Sequence, residues 1–449
     1  MKKKILYGIY IVCGLGGCLF LFLSMFLKQS KIEMEANAQT NSEQSSPAEQ
    51  MDQYLSKNFG LRTEVISFYT KFQDQMFSTS FVDNVVIGKE GFLYYKDTID
   101  DYCGTNKMSS RELFNTVRTL EMMQENITSQ NRKMLFIVAP NKNSLYDYMP
   151  YYYKKSKDES NWERLRKMMS NVSYLDTFDL FQNKEECYYY KTDTHWNDQG
   201  AYMVVDKAMT LLGRPLLSEK EPDEFEKNAM TGDLQRMLYP DSEPNESKLV
   251  MRNPQYQMLT ATRNFEQPYI ETNQPKGTGS LVMFRDSFAN NMITYLSEHY
   301  QYAIYDKNIP YNLSAIDKYQ ADHVIIEIAE RNINLIQEYK PLFLSPEREV
   351  LSGKVKKDLV KEIKAEEKNG WIQISGILNK NEVKEESRIY LKMNGKVVEL
   401  TPQKIDGNEF GFCGYIRKDQ FVKSVEVIAE SDNRGTMISS GAVFVEVGK

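Results

Sequence analysis

The sequence predicts an α/β protein with a parallel sheet and helices on both faces. Between residues 105 and 345, short apolar runs of strand length alternate with segments of helical periodicity. Most positions in these runs are apolar, which is typical of strands covered on both faces, and strands that alternate with helices pair in parallel. From residue 371, alternating runs separated by turns such as Asn394-Gly395 predict a C-terminal small β-sandwich.

The N-terminus predicts a membrane anchor. Three lysines, at positions 2 to 4, precede an apolar run at residues 5–27. A run of about 23 residues is long enough to cross a bilayer as a helix. The small-residue pattern Ala36-Asn37-Ala38 lies too far behind the run for a signal-peptide cleavage site. We therefore expect residues 1–27 to be an uncleaved transmembrane anchor, with the lysines in the cytoplasm and the rest of the chain outside.

The next elements follow from periodicity and turn chemistry. Residues 28–50 are polar and predict a flexible tether. Helical periodicity covers residues 51–76, and a glycine turn at 88–91 separates two short strands. Ser109 and Glu112 form a capping box for a helix that reaches about residue 131. Residues 133–139 then predict a buried strand.

Further elements complete a predicted catalytic domain at residues 51–345. Helices are expected at 161–170, from Asp198 to before Gly213, and at 288–299. Strands are expected at 172–175, 280–284, 302–305 and 323–328. Residues 215–279 are polar and predict an irregular insertion. Residues 346–370 contain a dense charge run and predict a linker, which leaves 371–449 as the β-sandwich accessory domain.

Composition excludes several classes of function. The net charge is −6, so there is no basic excess to neutralise phosphates, and no nucleic-acid partner is expected. Cys103, Cys187 and Cys413 are far apart, which excludes a zinc ribbon or a CxxC redox motif. A Cys103–Cys187 disulfide and free buried thiols both stay open.

Asp193 and His195 form the first candidate catalytic pair. They belong to the segment KTDTHWN, and in an extended backbone their side chains would point to the same side. A carboxylate beside a histidine can orient the ring and stabilise its protonated form. A structural, hydrogen-bonded histidine is the alternative.

Ser287 is the candidate nucleophile. It follows the predicted strand at 280–284 and opens a predicted helix, so it lies at the carboxyl end of a parallel strand, where open α/β sheets place their sites. Its backbone N–H could help to stabilise an oxyanion, and His195 is the candidate base. The alternative is that Ser287 only caps the helix. His299 and His323 complete no metal-binding pattern, so no metal and no cofactor are expected.

Together, TDTHWNDQGAY and VMFRDSF resemble the DHHW family, which comprises the AlgJ- and AlgX-like relatives of the SGNH hydrolases. Residues 88–95, 138–146 and 326–333 resemble other segments of that family, in the same order. The resemblance implies that Asp193 orients His195 and that His195 deprotonates Ser287. It also implies an extracytoplasmic O-acetyltransferase that acts on a polysaccharide. The implied acetyl donor is a membrane-bound acyltransferase of the MBOAT type.

Four further residues are candidates for substrate binding. Arg285 departs from the family pattern, and it either stabilises negative charge in the pocket or pairs with Glu327 or Glu330. Lys142 and Tyr146 either line the pocket or belong to a solvated loop. Trp196 is either a sugar platform or packing behind the triad. Arg331 and Glu330 are expected to form a structural ion pair, and a binding site is the alternative. Five aromatic residues of the sandwich are compatible with glycan binding, although their alternation also suits a core: Trp371, Tyr390, Phe410, Phe412 and Tyr415.

Two other functions stay open. An esterase needs the same triad and differs only in using water as the acceptor. A non-enzymatic scaffold of the cell envelope would need no triad at all, and its side chains would not meet.

Overall fold

The computed structural model describes residues 82–182, 186–214, 225–260, 264–349, 351–431 and 436–448. The chain divides into two units, and the unit formed by Asp83–Leu234 and Pro244–Lys449 carries the sheets and the candidate site. The predicted anchor (1–27), the tether (28–50) and the helix predicted at 51–76 lie outside the described residues. No helix within the described ranges combines the length and the hydropathy that a membrane crossing requires.

The helices of the described residues are mostly short. They are α1 (Ile99–Cys103), α2 (Ser110–Thr128), α3 (Lys142–Leu145), α4 (Asn161–Arg166), α5 (Thr177–Phe181), α6 (Asp198–Leu211), α7 (Asp233–Leu238), α8 (Ile293–Ser297) and α9 (Ser314–Lys318). Three further segments are 3₁₀ helices: Lys96–Thr98, Phe288–Asn291 and Glu330–Gln337. The predicted capping box of Ser109 and Glu112 begins α2, and the side chain of Asn197 caps α6.

The strands form four sheets. They are β1 (Val85–Ile87), β2 (Leu93–Tyr95), β3 (Lys133–Ala139), β4 (Tyr174–Leu175), β5 (Phe225–Met230), β6 (Glu246–Met251), β7 (Gln257–Met258), β8 (Tyr269–Asn273), β9 (Ser280–Phe284), β10 (Tyr302–Asp306), β11 (His323–Ala329), β12 (Glu347–Arg348), β13 (Lys354–Val355), β14 (Val360–Lys368), β15 (Trp371–Leu378), β16 (Ile389–Met393), β17 (Lys396–Ile405), β18 (Asn408–Arg417), β19 (Ser424–Glu430), β20 (Met437–Phe444) and β21 (Val447–Gly448).

The central sheet has the strand order β4-β3-β11-β9-β10-β8-β7. Its first five strands pair in parallel, whereas β8 and β7 extend it in the antiparallel direction. Strand β3 shows how the sheet is covered. Met134, Phe136 and Val138 pack into one core with α2 and α4, whereas Leu135 and Ile137 pack into another core with α6 and α8. Helices therefore cover both faces, which explains why this strand is apolar throughout.

The C-terminal strands β12–β21 form one continuous ten-stranded sheet. Strand β17 pairs with β16 through Lys396–Leu400 and with β18 through Thr401–Ile405, so it belongs to both halves of the sheet. Leu391 from one half and Phe412 from the other share a single core. The predicted sandwich is therefore one sheet around one core.

Two expectations about connections are wrong. The predicted linker 346–370 contains β12, β13 and β14, and β14 pairs with β15 from Val360↔Leu378 to Lys368↔Trp371. Most of the charged residues of β14 are exposed, and Ala365 is its buried residue, so the charge run belongs to a solvated strand. The predicted irregular insertion 215–279 contains the β5–β6 pair and also β8, which joins the central sheet.

Helix α2 joins the two main sheets. The Arg118 guanidinium donates two hydrogen bonds of 2.8 Å to the Glu399 carboxylate on β17. Arg348 donates to the same carboxylate over 2.7 Å. Arg111 is fully buried and donates to the carbonyls of Glu385 and Ser387. Buried polar contacts therefore connect the α/β region to the C-terminal sheet.

Candidate active site

Ser287 lies three residues beyond β9, at the carboxyl end of a parallel strand. The preceding residue, Asp286, fixes this corner, because its carboxylate accepts hydrogen bonds from the N–H groups of Phe288 (2.8 Å) and Ala329 (2.6 Å). The Ser287 side chain makes no capping hydrogen bond. Its Oγ lies 2.9 Å from Nε2 of His195, so the helix-cap alternative is wrong.

Asp193 and His195 meet in a turn and not in the extended backbone that their spacing suggested. Asp193 Oδ1 accepts a hydrogen bond from the His195 backbone N–H (3.0 Å) and lies 2.7 Å from His195 Nδ1. This Asx-type turn places the ring without a strand. The three side chains thus form the chain Asp193–His195–Ser287, and the catalytic roles of the three residues stay predictions.

The charges around the three hydrogen-bonded side chains favour His195 as a base. Burial alone would lower the pKa of His195, but the hydrogen bond and charge of Asp193 and the charges of Asp233 and Asp286 outweigh it and raise that pKa above its ordinary value. Burial alone would raise the pKa of Asp193, yet its contacts with His195 lower it. Asp193 therefore stays ionised while the ring gains or loses a proton.

Lys142 is buried beneath this turn. Its ammonium donates to the carbonyls of Tyr190 (3.0 Å), Lys191 (3.0 Å) and Asp193 (2.6 Å). Burial lowers the pKa of Lys142 to about 8. The solvated-loop alternative is wrong for this residue, which holds the turn and also borders a cavity beside the site.

Sequence reasoning missed Asp233. Its Oδ1 accepts hydrogen bonds from the N–H groups of Thr194 (2.7 Å) and Leu234 (2.7 Å), and its own N–H donates to Asp193 Oδ2 (2.8 Å). Its Oδ2 lies 3.9 Å from His195 Nδ1. Asp233 is the first residue of α7, and an acidic residue in the first turn of a helix is a local signal that the sequence does contain. The contacts with the turn join residues about 40 positions apart, which no local pattern indicates.

Arg285 takes neither of its two predicted roles. Its guanidinium donates to the carbonyls of Phe265 (2.9 Å) and Gln267 (3.0 Å) and to the side chain of Asn290 (2.5 Å). Within the described residues it pairs with neither Glu327 nor Glu330. It therefore fastens the segment before β8 to the corner that carries Ser287.

Trp196 and Tyr146 support the site from behind. Trp196 is fully buried and donates from its indole N–H to the Phe288 carbonyl (2.9 Å), so a sugar platform is excluded. The Tyr146 hydroxyl accepts a hydrogen bond from the Tyr188 N–H (2.8 Å), and its ring stacks on Phe92. Both residues hold the segment that carries His195.

The structure also places the other side chains that the sequence analysis singled out. His323 is buried, and its Nδ1 lies 2.8 Å from the Tyr300 hydroxyl, away from Ser287. Cys103 and Cys187 are free thiols.

The sandwich aromatics are buried except for half-buried Trp371, which suits core residues better than a glycan surface. Glu330 accepts hydrogen bonds from the Asn141 N–H and the Ser144 hydroxyl, so the expected ion pair with Arg331 is absent among the described residues.

Asp193, His195 and Asp233 could also be considered as metal ligands, because one donor atom of each lies within 4.8 Å of the others. Hydrogen bonds engage all three side chains. Asp193 and His195 bond to each other, and Asp233 accepts two backbone N–H groups. These bonds fit an acid–base site better than a metal centre, which would need the same lone pairs.

The fold and the site define a class of protein. A serine at the carboxyl end of a parallel strand, hydrogen-bonded to a histidine that an aspartate orients, is the arrangement of serine-dependent hydrolases and acyltransferases. Residues 85–274 match the family model described as SGNH hydrolase-like domain, acetyltransferase AlgX. The predicted AlgX-like resemblance is confirmed over those residues, which include Asp193 and His195 and end before Ser287.

No curated protein sequence matches the chain. Solved structures are similar to it at low sequence identity. A DHHW family protein from Eubacterium siraeum DSM 15702 is 15% identical, with a TM-score of 0.41, over 52% of this chain and 90% of that one. Bacillus cereus PatB1 is 13% identical, with a TM-score of 0.44, over 56% and 96%. The O-acetyltransferase domain of Pseudomonas putida AlgJ is 16% identical, with a TM-score of 0.38, over 56% and 92%.

Proposed function

We propose that the protein is a serine O-acetyltransferase that moves an acetyl group onto hydroxyls of a polysaccharide outside the cytoplasm. The observation that carries the proposal is the hydrogen-bonded chain from Asp193 through His195 to Ser287, with distances of 2.7 and 2.9 Å. The match to an acetyltransferase family model supports the choice of acyl chemistry.

In the first half of the reaction, His195 Nε2 takes the proton from Ser287 Oγ while Oγ attacks the carbonyl carbon of the acetyl donor. Asp193 stabilises the imidazolium that forms. The donor's C–O bond then breaks, and His195 gives the proton to the departing alkoxide. The products are acetyl-Ser287 and the deacylated donor.

In the second half, His195 takes the proton from an acceptor hydroxyl, whose oxygen attacks acetyl-Ser287. The Oγ–carbonyl bond breaks, and His195 returns the proton to Ser287. The acetyl ester now belongs to the acceptor. Residues 1–27 would anchor the protein in the membrane, and a membrane-bound acyltransferase of the MBOAT type would supply the donor.

The test compares the protein that lacks residues 1–30 with its Ser287→Ala variant. Each is incubated with p-nitrophenyl acetate, with and without an oligosaccharide panel, and intact protein and products are measured by mass spectrometry. We expect an acetyl group on Ser287 that moves to sugar and is absent from the alanine variant. Serine-dependent release of acetate to water, with no sugar product, would indicate an esterase. Absence of serine-dependent acetylation, with the MBOAT-type partner also supplied, would contradict the proposal.

A further inference from the structure

A small cavity of about 10 Å³ lies beside the segments that carry the candidate nucleophile and base. Its wall includes Tyr95, Lys142, Thr194, Phe288 and Arg331. Thr194 lies between Asp193 and His195 in the chain. Phe288 follows Ser287 directly, and its ring centroid lies 4.9 Å from that of His195. Part of the wall is therefore formed by the neighbours of the reacting groups.

Arg331 presents an unused cation to this cavity. Its guanidinium carbon lies 5.3 Å from the Tyr95 ring centroid and 5.7 Å from that of Phe288. Within the described part of the chain, its buried Nη1 has no hydrogen-bond partner. The aromatic faces stabilise the positive charge of Arg331, but they are weak hydrogen-bond acceptors for its N–H groups. An oxygen atom would supply the hydrogen-bond acceptor that the guanidinium lacks.

The charged groups around the cavity do not supply that acceptor. Glu330 follows β11 directly, but its carboxyl oxygen accepts hydrogen bonds from Asn141 and Ser144. Burial and the charge of Asp101 raise the pKa of Glu330 to about 8, so it is largely protonated at neutral pH. The Lys142 ammonium is already bonded to three carbonyls. No carboxylate among the described residues forms an ion pair with Arg331, although Asp101 lies close enough for the charge of Arg331 to lower its pKa against the effect of burial.

We propose that Arg331 binds an anionic oxygen of the substrate in this cavity, beside Ser287. The guanidinium fork suits such an oxygen, and a low-dielectric cavity strengthens the contact. Two sources share this chemistry: the oxyanion that forms during acyl transfer at Ser287, and a carboxylate carried by an acidic acceptor sugar. The choice between them rests on the proposed function, whereas anion binding itself does not.

Binding is tested without turnover in the Ser287→Ala protein, with acetate as the probe and ¹³C-acetate line broadening as the signal. Adding Arg331→Met keeps the apolar volume against the two rings and removes the charge. We expect this change to weaken acetate binding by roughly 10- to 100-fold, the usual effect of losing a charged hydrogen bond. The control is Lys96→Met, which removes an exposed cation that donates to the Tyr153 hydroxyl. Equal acetate binding with and without Arg331, in proteins of equal melting temperature, would overturn the proposal even if Ser287-dependent transfer is established.

Kinetics of Arg331→Met with Ser287 intact then distinguish the two sources. A fall in kcat for p-nitrophenyl acetate, with water and with sugar acceptors alike, assigns Arg331 to the oxyanion. Unchanged acylation with a KM raised only for hexuronate oligomers, compared with neutral ones, assigns it to the acceptor carboxylate. No change in any of these values would contradict a role for Arg331 in binding substrate.

Discussion

At the scale of single residues, Asp233 adds a second carboxylate to the site. Asp193 contacts His195 directly, whereas Asp233 acts over 3.9 Å and through the backbone N–H of Thr194. Its charge is one of the causes that raise the pKa of His195. Burial and the charge of Asp193 in turn raise the pKa of Asp233. We interpret Asp233 as a positioning residue that also makes the ring more basic.

This interpretation predicts the pH dependence of Asp233→Asn. The amide oxygen keeps the acceptor for Thr194, but the negative charge beside His195 is lost. A general base must be neutral, so the acylation rate falls as the pH falls through the pKa of His195. In the native protein, the acidic limb should lie above the ordinary histidine value, because that pKa is raised. In Asp233→Asn the pKa is lower, so the limb should move to lower pH.

The measurement is the Ser287-dependent acylation rate with p-nitrophenyl acetate against pH. Glu246→Gln is a control of the same charge change, since Glu246 contacts Thr192 and not His195. If the acidic limb of the pH profile lies at the same pH in Asp233→Asn as in the native protein, the charge of Asp233 does not affect the pKa of His195.

At the scale of elements, the site depends on close approach between the turn at residues 192–195 and the N-terminus of α7. The turn at residues 192–195 rests on the Lys142 ammonium on one side and on Gly232 and Asp233 on the other. A Cβ at Gly232 would lie 2.2 Å from the Thr192 carbonyl oxygen and 2.7 Å from the Asp193 backbone nitrogen. Glycine is required there because both clashing groups are backbone, which cannot rotate away.

Gly232→Ala should therefore separate Asp233 from the turn. We expect a large fall in Ser287-dependent acylation and a loss of about 1–3 kcal/mol in the free energy of unfolding, as for other overpacked sites. Urea denaturation and p-nitrophenyl acetate turnover measure the two effects.

The control is Gly395→Ala in a turn of the C-terminal sheet. There the added Cβ meets no atom within 4 Å, although the positive φ of 79° strains alanine. Its acylation rate should be unchanged. Full activity in Gly232→Ala would mean that the contact between the two segments does not position the site.

At the scale of the whole molecule, the C-terminal sheet is an integral part of the described structure. The Glu399 carboxylate on β17 is almost fully buried and bonds Arg118 of α2 and Arg348 of β12. Helix α2 in turn packs its apolar side chains into the same core as β3. Loss of this junction should therefore affect the folding of both regions and not only that of the sheet.

Glu399→Ala leaves two guanidinium groups without their shared partner. Because Arg118 keeps its bond to Glu121 and Arg348 keeps its bonds to Glu125, we expect the free energy of unfolding to fall by about 1–3 kcal/mol. Urea denaturation gives this value, and acylation measured well below the melting temperature should be unchanged. Glu347→Ala is the control, because its bond with Lys396 is exposed and worth little. A Glu399→Ala protein as stable as that control would contradict the role of this junction.

The sequence by itself predicted much of the fold through short-range physics. Largely apolar runs identified β3, β9 and β11, because strands covered on both faces leave few polar positions, although β11 also contains the buried Glu327. The capping box of Ser109 and Glu112 marked the beginning of α2, because its bonds lie within one turn. The charge run in β14 led to the wrong prediction of a linker, because a strand with a solvated face can carry as many charges as a linker.

The candidate site was predictable only in part. Asp193 and His195 were found from their residue types and spacing, and Ser287 from its place after a predicted strand, since that chemistry needs few residues. His195 and Ser287 are 92 positions apart, and only the tertiary structure brings His195 Nε2 to 2.9 Å from Ser287 Oγ. It also decided that Arg285 bonds to carbonyls, that Asp233 borders His195 and that Arg331 faces a cavity. A long side chain can serve any of several partners, and the packing of distant segments selects one of them.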